Sequence, residues 1–264
     1  MADDSMTFRD GEPAVNGHAP GILNPLWKRF SIAVWRIAFV VVIFLWLHPV
    51  TYRSTRMAIV GLVALLWGSS LVLWWDMKAI RIAALAIAVV VLLLAILPGR
   101  TPDVGKLRSN YVKSLTSYEG TRYIWGGENR LGIDCSGLVR RGLIDASLQQ
   151  GFTAANPGLI RRSFLMRWFD CSARALQEEY RSQTHRLFPA RSIQQLDHTK
   201  LEPGDFAVTA SGVHTLAYLG DKKWIEADPG AGRVIIMRAE DENGWLKVPI
   251  EVVRWRAFET ETYR

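Results

Sequence analysis

Three apolar runs, Ser31–Leu47, Met57–Trp75 and Ile80–Leu97, follow one another with only short polar breaks between them. No other feature constrains the chain as strongly. At 1.5 Å per residue, each run spans or nearly spans a ~30 Å hydrocarbon core. Three such helices cannot all be buried within a chain of 264 residues without a much larger partner. They are therefore expected in a membrane, as a bundle of two to three transmembrane helices over residues 26–97. Trp27, Trp46, Trp74 and Trp75 fall near the ends of the runs, where interfacial aromatics belong. Arg36 interrupts the first run. Either it snorkels to the headgroups, or that run lies on the surface and only two helices span. The basic residues do not orient the bundle. An N-in, three-span arrangement puts Lys28, Arg29, Lys78 and Arg81 inside, against Arg53, Arg56, Arg100, Lys106 and Arg108 outside.

The flanking segments have a different character. Residues 1–25 carry Asp, Gly, Pro and Asn without periodicity and read as a mobile tail. They lack the early basic region of a signal peptide. Pro98-Gly99 and Thr101-Pro102 stop the last apolar helix, so 98–106 reads as a linker. Residues 107–264 mix charged, apolar and turn residues and are numerous enough to bury a core of their own. The net charge of +7 is spread evenly, with eight basic against five acidic residues up to 98 and 24 against 20 beyond. Without a dominant basic block, nucleic-acid binding is not indicated. Weak attraction to an anionic surface such as membrane lipid fits this charge. No Cys/His spacing resembles a metal site, and no cofactor motif stands out, so none is expected. The GGENRLG stretch lacks a strand-to-helix phosphate-loop pattern. Cys171 reads as a small hydrophobe, and His185 and His198 as surface residues.

Within the second part, a helix is expected near 107–115 and another from Cys135 to Gln149, with apolar residues at 138, 139, 143, 144 and 148. YIWGG, at 123–127, reads as a strand-like start followed by a glycine turn. Ser163–Gln183 reads as one amphipathic helix that packs on the domain or lies on a membrane surface, within a helical insertion at about 150–200. Beyond Pro203-Gly204-Asp205 the period changes to two. Short strands are expected at 206–209, 214–219, 223–226, 233–237 and 248–255. The result is an α+β domain, with a helix preceding an antiparallel sheet.

The chemistry-bearing residues lie in these elements. Cys135 stands where a helix begins, and aligned peptide dipoles there favour the thiolate, the nucleophilic form of a group that ordinarily titrates at about 8.5. His214 comes much later, among the strands, and Glu226 is twelve positions beyond it. An even separation across a hairpin joined at Leu219–Lys222 keeps His214 and Glu226 on one sheet face. A nucleophile, a base and an orienting group are thus present. Asp228 is the alternative orienting group, although its proline neighbour points to a turn.

Four ordered segments, YIWGG (123–127), DCSGLV (134–139), PGDF (203–206) and HTLAYLG (214–220), resemble the NlpC/P60 family of cysteine peptidases. The resemblance covers about 107–264 and implies a papain-like α+β fold. It implies Cys135 as nucleophile, His214 as general base and Glu226 as orienting residue. Tyr123, Trp125, Asp134 and Ser136 would line the substrate site, and the Cys135 N–H would help hold an oxyanion. The implied activity is cleavage of amide bonds in peptidoglycan stem peptides through an acyl-thioester. The catalytic domain would then face the periplasm from a bacterial inner membrane. Two features depart from the family pattern. The third position is Glu where His, Asn or Gln is common, and the stretch from the Cys helix to the Gly204-Asp205 strand is longer than in a minimal member. These keep open a lipid- or acyl-directed amidase or acyltransferase with the same three residues. A catalytically inactive, wall-binding membrane protein is the remaining alternative.

Overall fold

The computed structural model describes residues 25–259. The tail expected at 1–25 lies outside them, apart from Pro25, which opens the first helix. Three long helices come first: α1 (Pro25–Leu47), α2 (Arg53–Leu73) and α3 (Lys78–Ile96). All three are long and apolar enough to cross a membrane. The first is longer than its apolar run because Pro25, preset for a first helical turn, starts it ahead of Ser31. Arg36 occupies an exposed position on α1. Indole N–H groups tie the helices together: Trp35 donates to the Leu66 carbonyl at 3.1 Å and Trp67 to the Ala84 carbonyl at 3.3 Å. In hydrocarbon such donors have no water to turn to.

The second part begins with α4 (Val104–Thr116), earlier than the spacing predicts. The cause is a cap, since the Asp103 carboxylate accepts the Lys106 N–H at 2.9 Å. A small hairpin, β1 (Glu128–Asn129) and β2 (Gly132–Ile133), then leads into α5 (Cys135–Thr153). YIWGG forms no strand of its own, and isolated bridges at Tyr123 and Gly127, with another at Arg122 just before it, tether it. Next come α6 (Pro157–Trp168) and α7 (Ala173–Gln177). A sheet follows, made of β3 (Thr184–Ala190), β4 (Phe206–Thr209), β5 (Thr215–Gly220), β6 (Lys223–Asp228), β7 (Arg233–Arg238) and β8 (Ile250–Trp255). Its order is β3-β8-β4-β5-β6-β7, antiparallel throughout.

The single helix expected over 163–183 does not form, and the 150–200 insertion is not wholly helical. Asn156 caps α6 and Ser172 caps α7, so the chain breaks between them at Phe169–Cys171. Residues 184–190 then form an edge strand, a position that tolerates Pro189. One sheet face packs on α4 and α5 through Phe206, Val208, Ala217, Ile225 and Val253. The other carries Leu216, Tyr218, Trp224 and Val252 under Ile193, Leu196 and Leu246. His198 belongs to this second layer rather than to a bare surface, since its Nε2 accepts the Trp224 indole N–H at 3.2 Å.

The insertion also joins the domain to the long helices. Leu159 and Met166 of α6 enter the main core. From the same helix, the Arg161 guanidinium donates to the Leu94 and Leu97 carbonyls, 2.7 and 2.6 Å away, at the end of α3.

Candidate active site

The start of α5 is built by Asp134. One of its oxygens accepts the Gly137 N–H at 2.6 Å and the Ser136 hydroxyl at 3.0 Å, and the other accepts the Gly126 N–H at 2.8 Å. One carboxylate thus caps the helix and pins the loop after Trp125 beside it. Burial raises the Asp134 pKa, and these three donors oppose the rise. Gly126 sits at a φ of +73°, and a side chain at Gly137 would collide with the Gly127 carbonyl. The DCSG and WGG segments therefore need each other, one supplying the cap and the other the bare backbone it packs against.

Cys135 is the first residue of α5, and its thiol points toward the Val213 carbonyl, 3.9 Å away. The Thr215 hydroxyl donates to the Cys135 carbonyl at 2.8 Å, fixing the helix start against β5. His214 precedes β5 and is buried. Its Nε2 meets Glu226 Oε2 of β6 in a very short contact. Tyr218 opposite Trp224 sets the register, so 214 and 226 share a face. The bulge in this hairpin falls between Tyr218 and Gly220, beyond the pair, and leaves that face intact. With Nε2 engaged by Glu226, Nδ1 is the nitrogen left for the thiol. Burial opposes a charged imidazole at His214, but bonding to Cys135 and Glu226 outweighs it and raises the pKa to about 9. Burial raises the Glu226 pKa in turn, against the pull of His214 and Asn243.

Asp228 does not contact the imidazole. It accepts the Gly230 N–H at 2.7 Å and so shapes the turn. Two residues that the sequence did not single out complete the support. Asn243 donates to Glu226 Oε1 at 3.0 Å and to Asp228 at 3.2 Å. Trp245 stacks on the His214 ring, with centroids 4.2 Å apart and planes 17° from parallel. Both lie in a segment that reads only as a polar turn, and nothing local links it to a histidine on the far side of β5, β6 and β7.

A cleft of about 540 Å³ opens over Cys135, bounded by Trp125, Ser136, Asp170, Arg174 and Val213 among others. Trp125 is 78% exposed on its rim. Tyr123 is half-buried, and burial, with Cys135, Asp134 and Asp228 nearby, raises its pKa to about 12. Ser136 lies in the cleft wall with its hydroxyl on Asp134. Cys171 is not helical as expected. It sits in the loop before α7, packed on the core, and burial pushes its thiol up to about 11. His185 lies apart from the site, 3.7 Å from Glu259. Among the described residues no cluster of His, Cys, Asp or Glu has the makings of a metal site.

Beneath the cleft lies an ionic cluster. Arg140 of α5 is buried and contacts Glu128, Asp170 and the Met166 and Phe169 carbonyls. Glu128 reaches in the other direction to Arg56 of α2 at 2.9 Å. Arg56 also donates to Thr51 and to the Trp168 carbonyl. Glu128 and Asp170 both line the cleft. The floor of the cleft is thus bolted to the second long helix.

Comparison with curated proteins finds no match. Among solved structures the chain is similar to NlpC1 from Trichomonas vaginalis, with 16% identity, 56% of this chain and 43% of that one covered, and a TM-score of 0.37. It is also similar to the peptidoglycan hydrolase RipB from Mycobacterium tuberculosis, with 16% identity, 56% and 65% covered, and a TM-score of 0.36. An NlpC/P60 family protein from Bacillus cereus matches with 18% identity, 59% and 41% covered, and a TM-score of 0.37. The chain spans less than two thirds of the length of each of these three. The family pattern described as "NlpC/P60 family" matches residues 120–254, just over half of the chain and the whole stretch from the loop before Trp125 to the last strand. With that match, this chain belongs to the NlpC/P60 family of cysteine peptidases and amidases.

Proposed function

We propose that the protein is a membrane-anchored cysteine hydrolase that cleaves amide bonds in peptidoglycan stem peptides. The observation that carries the reading is the line from Cys135 through His214 to Glu226, with the imidazole oriented by its Nε2 contact. In this reading the Cys135 thiolate attacks the scissile carbonyl, and the oxyanion is held by N–H groups at the start of α5, which lack partners within the helix. His214 passes its proton to the departing amine, leaving an acyl-thioester on Cys135. Water, deprotonated by the imidazole, then attacks the thioester and restores the thiol. Glu226 positions the imidazole and stabilises its charged form. Trp125 and Tyr123 flank the substrate, while Asp134 and Ser136 hold the helix start in register with it. Such a substrate requires the domain to face the wall from a bacterial inner membrane, as three spans allow. Incubation of the purified full chain with muropeptides tests the reading. Cys135→Ala is expected to reduce cleavage by more than about 1,000-fold. Cleavage retained in that variant would overturn the mechanism.

A further inference from the structure

A second cavity lies away from the cleft, between α2, α3 and α6, with a volume of about 730 Å³. That is the size of a pocket for a small amphiphile. Its walls are Ile59, Val63, Trp67, Ile87, Ala88 and Val91, with Arg56, Arg167 and Trp46 at the domain end. Arg56 lies in the first turn of α2 and Ala95 in the last turn of α3, so this end sits at the headgroup level of a spanning bundle. From Arg56 to Trp67 the groove descends about three turns of helix, roughly 16 Å, which is about the acyl depth of one leaflet.

The mouth carries two guanidinium groups in different situations. Arg56 is spent on Glu128, Thr51 and the Trp168 carbonyl. Arg167 faces the Trp46 ring at 4.7 Å, and no carboxylate pairs with it among the described residues. Burial holds its pKa below the ordinary value. Arg141, Arg56 and Arg140 add their repulsion, which Glu128 opposes. A half-buried cation without a counter-ion, at the mouth of an apolar groove one leaflet deep, asks for an anion that carries a hydrocarbon chain.

We propose that this groove binds an anionic glycerophospholipid, with one acyl chain between α2 and α3 and the phosphate on the Arg167 guanidinium. The Trp46 ring backs the guanidinium, and exposed Phe164 of α6 closes the outer wall beside it. The site does not depend on the chemistry at Cys135. It places a lipid against α6, the helix whose Met166 carbonyl receives Arg140 beneath the cleft.

The test uses the purified full chain in a zwitterionic detergent, offered phosphatidylglycerol and phosphatidylcholine of matched acyl chains and read by native mass spectrometry. Phosphatidylglycerol is expected to be retained about tenfold over phosphatidylcholine, the value of one charge-assisted contact. Arg167→Ala should abolish the preference, and Arg167→Lys should keep most of it, which separates lost charge from lost fold. Ala88→Phe, which fills the groove, should lower retention of both lipids. Cys135→Ala should leave retention unchanged, so the lipid site and the proposed hydrolysis succeed or fail separately. Equal retention of the two lipids, or a preference that survives Arg167→Ala, would overturn the proposal. So would a dimer mass that excludes lipid, since a second copy would then fill the groove.

Discussion

The tryptophans of the long helices and those of the domain's sheet lie in opposite places. Trp46 and Trp75, on and beside the long helices, are about half exposed, whereas Trp224 and Trp255 of the sheet are 0% exposed. In the domain, apolar area leaves water by packing on other side chains, so its residues face inward over two layers. In the helical bundle most apolar residues face outward, as suits helices long and apolar enough to cross a membrane. The seam between the halves follows neither rule. It is held by ions: Arg56 of α2 and Arg140 of α5 share Glu128, while Arg161 caps the end of α3. A seam of this kind gives a fixed orientation that greasy surfaces alone do not specify.

Removing the seam's ions one at a time tests how far the two halves stand apart. Arg140→Leu leaves Glu128 with Arg56 alone and takes the donor from two carbonyls inside the domain, which should cost about 3–5 kcal/mol, a melting-point loss on the order of 10 °C. Arg56→Leu leaves Glu128 with Arg140, so its effect on the domain's melting point should be less than half as large. Equal losses would mean that α2 melts as part of the domain, and the two halves would then be one cooperative unit.

The next largest effect is confined to the domain. The His214 pKa is raised to about 9 in the folded chain, above its unfolded value. Its stabilisation is therefore present in full below about pH 6.5 and lost as the pH rises through about 9, amounting to roughly 3 kcal/mol at most. Unfolding followed from about pH 6 to about pH 10 should show this loss, and a smaller one in Cys135→Ala, whose thiol no longer holds the imidazole. A flat profile across that range would contradict the pairing. Glu226→Gln should lower turnover by more than tenfold, or upward of about 1.4 kcal/mol, with little change in KM. A wild-type rate would reassign the positioning role. Trp245→Ala removes the ring stacked on His214 and should cost the least, about 0.5–1.5 kcal/mol, read as a several-fold fall in kcat. None of these three changes should alter lipid retention by the helical bundle.

Much of this arrangement could be read before folding because it is local. The apolar runs announce three long helices, Asp134 announces the start of α5, and the alternation after Asp205 announces five strands with correct boundaries to within two residues. The even spacing of His214 and Glu226 also predicts their common face. Where the reading failed, a local signal misled. The amphipathic spacing of 163–183 hid the Ser172 cap that starts α7, and just beyond it the edge strand pairs with β8, the last strand among the described residues. Polar surroundings in sequence made His198 look exposed, although folding brings Trp224 onto it.

The sequence by itself determined which residues can do thiol chemistry, where helices and strands begin, and that part of the chain is fitted to hydrocarbon. Periodicity, caps and turn residues act over a few positions, so they are written locally. Only the tertiary structure decided that Glu226 and not Asp228 meets the imidazole, and that Asn243 and Trp245 support the pair. It alone joined Arg56 to Glu128, 72 residues apart, and left Arg167 without a counter-ion among the described residues. Which charge finds a partner depends on how rigid elements pack in three dimensions, and no neighbour in the chain records that.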